Sequence, residues 1–249
     1  MNESTAVRWM SVFLDVEPAQ FDTAARFWSA VTDTSPGPPL GRHDEFTPLV
    51  GNGDACLWLQ RTEGGASDCH PDLYVEDVHA ASAHVAALGA RTIAEEDGLV
   101  VSTSPGRLPF CLVTYRGQRI RPTPVGSPGS RGVVDQVCFD IPPQVFDAEC
   151  DFWSALTGWP RRGRGEQHSE FDRLTRPAGI PYAVLLQRLD DQAPRVTAHL
   201  DLACEDRDTV TDAHVGLGAE VTERTDGWTV TRDPTGRVYC NTDRKPGDV

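Results

Sequence analysis

The sequence predicts an α+β protein built as two tandem copies of one domain, each copy a pair of β-α-β-β-β modules. Three observations carry that prediction. A long run of residues recurs at a nearly constant offset, each copy orders strand-like and helix-like segments in the same way, and a Pro/Gly/Ser-rich stretch lies between the copies.

The recurrence is read residue by residue. Phe13-Leu14-Asp15-Val16 returns as Cys138-Phe139-Asp140-Ile141, and Phe27-Trp28-Ser29-Ala30 as Phe152-Trp153-Ser154-Ala155, both 125 residues later. Leu59-Gln60-Arg61 returns as Leu186-Gln187-Arg188. Asp72-Leu73 with Glu76-Asp77 matches Asp201-Leu202 with Glu205-Asp206, Leu88-Gly89-Ala90 matches Leu217-Gly218-Ala219, and Phe110-Cys111 falls opposite Tyr239-Cys240, now at an offset of 129. The copies are assigned to residues 7–120 and 132–244, with 121–131 as linker.

Each copy opens with a strand. Val12, Leu14 and Val16 alternate on one face, as do Val137, Phe139 and Ile141, leaving Ser11, Phe13 and Asp15, or Gln136, Cys138 and Asp140, on the other. Pro18 and Pro143 suit a first helical turn. Phe21, Ala25, Trp28 and Val31 then form a stripe at helical spacing, repeated by Phe146, Cys150, Trp153 and Leu156, with the tryptophans as core anchors. Strands follow near 44–50, 55–60 and 69–75, then a helix carrying Val78, Ala81, Val85 and Leu88 that stops at Gly89. Strands near 91–95, 98–103 and 109–115 complete the copy.

Composition narrows the class. With 39% hydrophobic and 24% charged residues, and no window near the roughly 18 apolar residues of a membrane helix, no membrane partner is expected. The formal charge of −14 disfavours a nucleic-acid partner. Met1-Asn2-Glu3-Ser4-Thr5 lacks a basic-then-apolar leader pattern, so a cytoplasmic location is expected, and the near-absence of lysine beside many arginines suits a GC-rich bacterial genome. Seven cysteines without C-x-x-C spacing read as reduced thiols. Gly163-Arg164-Gly165 and Gly51-Asn52-Gly53 read as turns rather than phosphate cradles.

The element order, the Phe-Trp-Ser-Ala segment and the Asp233-Pro234-Thr235-Gly236 turn before the last strand together resemble the vicinal oxygen chelate superfamily of glyoxalase I, bleomycin-resistance proteins and extradiol dioxygenases. The first copy has the weaker turn Ser104-Pro105-Gly106-Arg107. The resemblance implies tandem glyoxalase-like domains, each a cup-shaped sheet with helices outside. It also implies four metal-ligand positions per domain, filled with His and Glu in metal-using members. Here they hold Gln136, Gln187, His199 and Cys240 in the second copy and Ser11, Gln60, His70 and Cys111 in the first. One in four keeps a standard ligand, so no metal and no other cofactor is expected.

His199 and Asp201 share a strand face and form the candidate acid–base pair, against the alternative of a structural polar cluster. Gln136, Asp140, His168, Gln187 and Cys240, with His70 and Gln60 of the first copy, are the candidate ligand-binding residues. His43 with Glu45 and His168 with Glu170 read also as ion pairs at strand edges. The leading expectation is a metal-independent protein that binds a small organic ligand, for sequestration or resistance, working through its second copy. The alternative is an isomerase, lyase or hydrolase using His199 and Asp201, or a metal held through His199 and Cys240. A homodimer stays open.

Overall fold

The alternation at Val12, Leu14 and Val16 produces strand β1 (Trp9–Val16), and the apolar stripe after it produces helix α1 (Phe21–Thr32). The structure is a computed structural model that describes residues 3–63, 69–127, 129–163 and 168–247. The first repeat continues through β2 (Ser35–Pro36), β3 (Phe46–Val50), β4 (Leu57–Arg61), β5 (Cys69–Val75), α2 (Val78–Ala87), β6 (Arg91–Glu96), β7 (Leu99–Thr103) and β8 (Pro109–Thr114). The second comprises β9 (Gly132–Ile141), α3 (Phe146–Thr157), β10 (Phe171–Leu174), β11 (Ala183–Arg188), β12 (Thr197–Cys204), α4 (Arg207–Gly216), β13 (Glu220–Arg224), β14 (Trp228–Arg232) and β15 (Val238–Thr242).

Each repeat makes one mixed sheet. The strand orders are β2-β3-β4-β1-β5-β8-β7-β6 and β10-β11-β9-β12-β15-β14-β13, so the fold is the α+β arrangement the repeat predicts. Asp77 and Asp206 explain why Glu-Asp recurs before the second helix of each copy: each caps it, accepting from the Ala80 and Thr209 N–H groups. Gly89 and Gly218 end those helices at φ 100° and 101°, a conformation that disfavours any side chain. Among the described residues of 121–131, Val125 bridges to Gly132 and the rest is irregular. No helix among the described residues is long and apolar enough to cross a membrane.

Two local expectations need correction. Pro18 opens a separate 3-10 turn, Pro18–Gln20, and Pro143 lies in the turn before α3, so neither stands in the first turn of its long helix. The missing proline N–H is tolerated one turn earlier for the same reason. His43, Glu45, His168 and Glu170 occupy turns ahead of β3 and β10, not strands. Asp44 has φ 55°, which breaks extended backbone between His43 and Glu45. Gly51-Asn52-Gly53 is a bend, as read, whereas Arg164 and Gly165 of the other glycine pair lie outside the described residues.

By contacts the chain falls into two compact units that cut across the repeats. One contains Met1–Val12, His70–Arg119 and Val137–Ala198; the other contains Phe13–Cys69, Ile120–Gln136 and His199–Val249. Each unit therefore packs the first-module helix of one repeat on the second-module strands of the other. In the first unit Trp153 of α3 meets Phe110 of β8 edge-on at 5.3 Å. In the second Trp28 of α1 meets Tyr239 of β15 at the same distance. Both tryptophans are fully buried, as core anchors should be, and truncating either would cost about 3–5 kcal/mol.

A buried carboxylate accompanies each tryptophan, but on opposite partners. The Trp28 indole N–H donates to Asp233 of the β14–β15 turn at 2.9 Å. Trp153 donates to Glu149, one turn back on its own helix, at 3.0 Å, and Glu149 also accepts from the Gly106 N–H of the β7–β8 turn at 2.8 Å. By the repeat offsets Glu149 corresponds to Ala24, and Asp233 to Ser104. Where the turn has no carboxylate, the helix carries one. Burial pushes the Glu149 carboxyl up, against hydrogen bonds from Ser104, Gly106 and Trp153 that hold it down.

Candidate functional site

Strand β12 presents His199, Asp201 and Ala203 on one face, because side chains alternate along a strand. Leu200, Leu202 and Cys204 on the other face are all buried. On the parallel neighbour β15, Cys240 stands directly across from Asp201 in register. His199 Nε2 lies 3.3 Å from Asp201 Oδ1 and 3.7 Å from Cys240 Sγ. Gln136 of β9 donates its amide N–H to Asp201 Oδ2 at 2.6 Å. The structure thus brings together four of the residues read from the sequence: His199, Asp201, Gln136 and Cys240.

Sequence reasoning missed the charge behind this group. Arg244, just past β15, forms a two-pronged ion pair with Asp135 of β9, at 2.7 and 2.9 Å. Burial alone would push the Asp201 carboxyl up. The hydrogen bond and charge of His199, the Arg244 charge and the Gln136 amide together reverse that and hold it below the usual carboxylate range. Asp201 is therefore the anion that orients the His199 ring, and its two oxygens are divided between an imidazole and an amide. The Gln136 assignment follows from chemistry: a carboxylate only accepts, so the amide must offer nitrogen. Its oxygen, Oε1, is buried without a hydrogen-bond partner among the described residues.

The first repeat carries the same plan on β5 and β8. His70 Nε2 lies 3.7 Å from Asp72 Oδ1, and Cys111 stands across from Asp72 in parallel register. The residue matching Gln136 is Ser11, whose hydroxyl donates to the Tyr74 hydroxyl at 3.3 Å instead of to the aspartate. The positions matching Asp135 and Arg244 are Met10 and Tyr115.

The remaining predicted residues occupy several different settings. Gln187, at the end of β11, is half-buried and accepts from the Cys138 thiol at 3.5 Å. Asp140, two residues beyond Cys138 on β9, is half-buried. Gln60 of β4 faces Phe46 in register, beside an aromatic set missed in the sequence in which Phe13 stacks on Trp58 at 5.3 Å and meets Phe46 edge-on. His168 sits in its exposed turn, paired with Glu170 at 3.2 Å. In the equivalent turn Glu45 accepts from the backbone N–H of His43. All seven cysteines are buried and none is disulfide-bonded.

Several solved structures share this fold. A substituted 4-hydroxymandelate synthase from Streptomyces coelicolor matches with a TM-score of 0.59 at 15% identity, over 98% of this chain and 94% of that one. An extradiol ring-cleaving dioxygenase from B. fuscum matches at 0.64 and 14%, over 96% and 72%. The Mn(II)-bound glyoxalase of Novosphingobium aromaticivorans matches at 0.61 and 17%, over 100% and 86%. At these identities the likeness is one of fold. Among curated proteins none matches this chain.

Such relatives raise the question of a family-type metal, and the donor set here does not fit one. Gln136, Gln187, His199 and Cys240 offer two neutral amides, one imidazole and one thiol, with no carboxylate at any of the four positions. Gln136 turns its amide nitrogen, which cannot ligate, toward Asp201. The model of the glyoxalase-like domain matches residues 11–113 and again residues 136–242, the two segments that build the two sheets. The chain is a member of the glyoxalase-like family within the vicinal oxygen chelate superfamily, and it carries that domain twice.

Proposed function

We propose that this protein binds a small organic molecule against the His199–Asp201–Gln136 group of its second domain, without a family-type metal. The observation that carries the reading is the buried, unsatisfied Gln136 Oε1 beside an ionised Asp201 and an oriented imidazole. A buried acceptor left unmet costs about 1–3 kcal/mol, and a ligand hydroxyl or N–H would meet it. The domain limits 7–120 and 132–244 belong to the same proposal, supported by the extent of the family match. Sequestration or resistance suits a site that holds its ligand without metal chemistry.

A second reading rests on the His199–Asp201 contact. An imidazole fixed by an ionised carboxylate accepts or delivers a proton at a bound substrate, so an isomerase or lyase reaction is open to the same residues. The test for both is a thermal-shift screen of the full chain against small aromatic and oxo-acid metabolites, catechols included, followed by calorimetry and mass spectrometry of each hit. Binding should weaken about 10–100-fold in His199→Ala and in Gln136→Leu, the range of one lost charge-assisted hydrogen bond. Conversion of a hit by the wild type but not by His199→Ala selects the enzymatic reading. Equal affinity of both variants for every hit sinks the assignment of this site.

A further inference from the structure

The exposed side of α1 carries a cleft. Asp22, Ala25, Arg26 and Ser29 fall at i, i+3, i+4 and i+7 and so share one helix face. That face and the segment Thr34-Ser35-Pro36 enclose about 440 Å³, within the range of about 300–1,000 Å³ usual for small-molecule sites. All seven residues belong to one compact unit. Ser29 Oγ is buried in it without a hydrogen-bond partner among the described residues.

The second repeat shows what such a cleft accommodates. Helices α1 and α3 end alike, at left-handed Asp33 and Gly158, and the chain then returns in the same register, with Pro36 opposite Leu49 and Arg161 opposite Leu174. At the position of Thr34 the second repeat has Trp159, buried to 3% exposure. Ser154, the match of Ser29, donates to the Trp159 carbonyl at 2.9 Å. Asp151 and Arg161, the matches of Arg26 and Pro36, form an ion pair at 2.6 Å. The first repeat keeps this framework and lacks its filling. A threonine replaces the indole, the serine hydroxyl has no acceptor, and proline stands at the partner position of a charge now reversed to Arg26. Arg26 itself reaches Thr23 on its own helix, at 3.3 Å.

We propose that this cleft binds a small planar aromatic carboxylate. The ring takes the place that the Trp159 indole holds in its own repeat, and the carboxylate meets the Arg26 guanidinium, whose fork matches two carboxylate oxygens. The Ser29 hydroxyl donates to the same group and so gains the partner that the protein does not supply. Asp22, one turn before Arg26, accepts from an N–H on the ligand and selects for aromatic acids that carry one. The inference goes beyond the proposed function, which concerns His199, and stands or falls separately from it.

The test is amide NMR of the isotope-labelled full chain, titrated with indoleacetate, anthranilate, indole and tryptamine. Both acids should shift the signals of residues 22–36 with dissociation constants of about 0.1–1 mM, and the cation tryptamine should bind at least about tenfold more weakly. Arg26→Gln should weaken both acids about tenfold and leave indole unchanged. Thr34→Trp installs the second repeat's own filling and should abolish binding of every probe. If that variant unfolds, Ser29→Leu, which fills the cleft from the helix side, takes its place and should show the same loss. His199→Ala should leave these affinities unchanged. Absence of shifts at residues 22–36 with either acid overturns the proposal, as does tighter binding of tryptamine than of the acids, or acid binding that persists in a folded Thr34→Trp.

Discussion

The two compact units solve one packing problem with the acidic group on opposite partners. In one, the strand turn supplies Asp233 to the Trp28 indole while the helix offers Ala24. In the other, the helix supplies Glu149 to Trp153 and to the Gly106 N–H while the turn keeps only Ser104. The difference teaches that the buried carboxylate is what the helix–strand junction requires, and that its point of attachment is free. A compensating exchange of this kind leaves each residue looking unconserved between the repeats while the interaction survives.

That comparison breaks most sharply at Glu149. Glu149→Ala leaves the Trp153 and Gly106 donors buried without an acceptor and should cost about 4 kcal/mol, read from the urea midpoint at unchanged slope. Adding Ser104→Asp transplants the other unit's arrangement and should recover most of the loss. A double variant no more stable than the single one would show that the two junctions are not equivalent.

The next largest effect lies beneath α4. His214 is buried against the Tyr239 hydroxyl and the Asn241 amide, where the first repeat has Val85, Phe110 and Leu112. Burial lowers the imidazole from 6.5 to about 4. The unfolded ring binds its proton near the upper value and the folded ring only near the lower one, so this contribution is intact above pH 6.5 and is lost as pH falls toward 4. The loss amounts to about 3 kcal/mol. The graft His214→Val, Tyr239→Phe and Asn241→Leu should flatten the acid limb of stability across that window. An unchanged limb would mean another group titrates there. Asp201, held low, gives up its own contribution only as pH falls below the ordinary carboxylate range.

The smallest effect concerns the turn itself. Arg107 has φ 69° where the second repeat has Gly236 at 88°. A side chain in that left-handed region is strained, so Arg107→Gly should gain about 0.5–1 kcal/mol, partly offset by the glycine's greater freedom when unfolded. Thermal unfolding resolves a change of that size, and a lower midpoint would mean that the Arg107 contact with the Pro194 carbonyl outweighs the strain.

Much of this was legible in the residues. Self-similarity located both sheets, strand alternation set His199 beside Asp201, and helical spacing marked Trp28 and Trp153 as anchors. The hidden parts share a cause. An offset reports which segments are duplicated, not which copy's helix covers which copy's strands, so the crossing of the compact units left its only trace in the Ala24/Asp233 and Glu149/Ser104 exchange. Arg244 and Asp135 are 109 residues apart, with no periodicity to link them. The turns at His43 and His168 read as strands because each runs without a break signal into the strand that begins at Phe46 or Phe171; at the first, the left-handed Asp44 that ends the extended backbone is a conformation its residue type does not announce.

The crossing of the compact units has an evolutionary consequence. A lone repeat would leave α1 or α3 without the strands that cover it, and could bury that helix only by pairing with a second identical copy. Fusing the copies converts a concentration-dependent dimer into a unimolecular fold, held together at any dilution. It also ends the identity of the two halves. A symmetric dimer must place every mutation at two sites at once, whereas the fused chain accumulates them singly, so one domain is free to set Gln136 and Arg244 around its aspartate while the other carries Ser11 and Tyr115 at those positions.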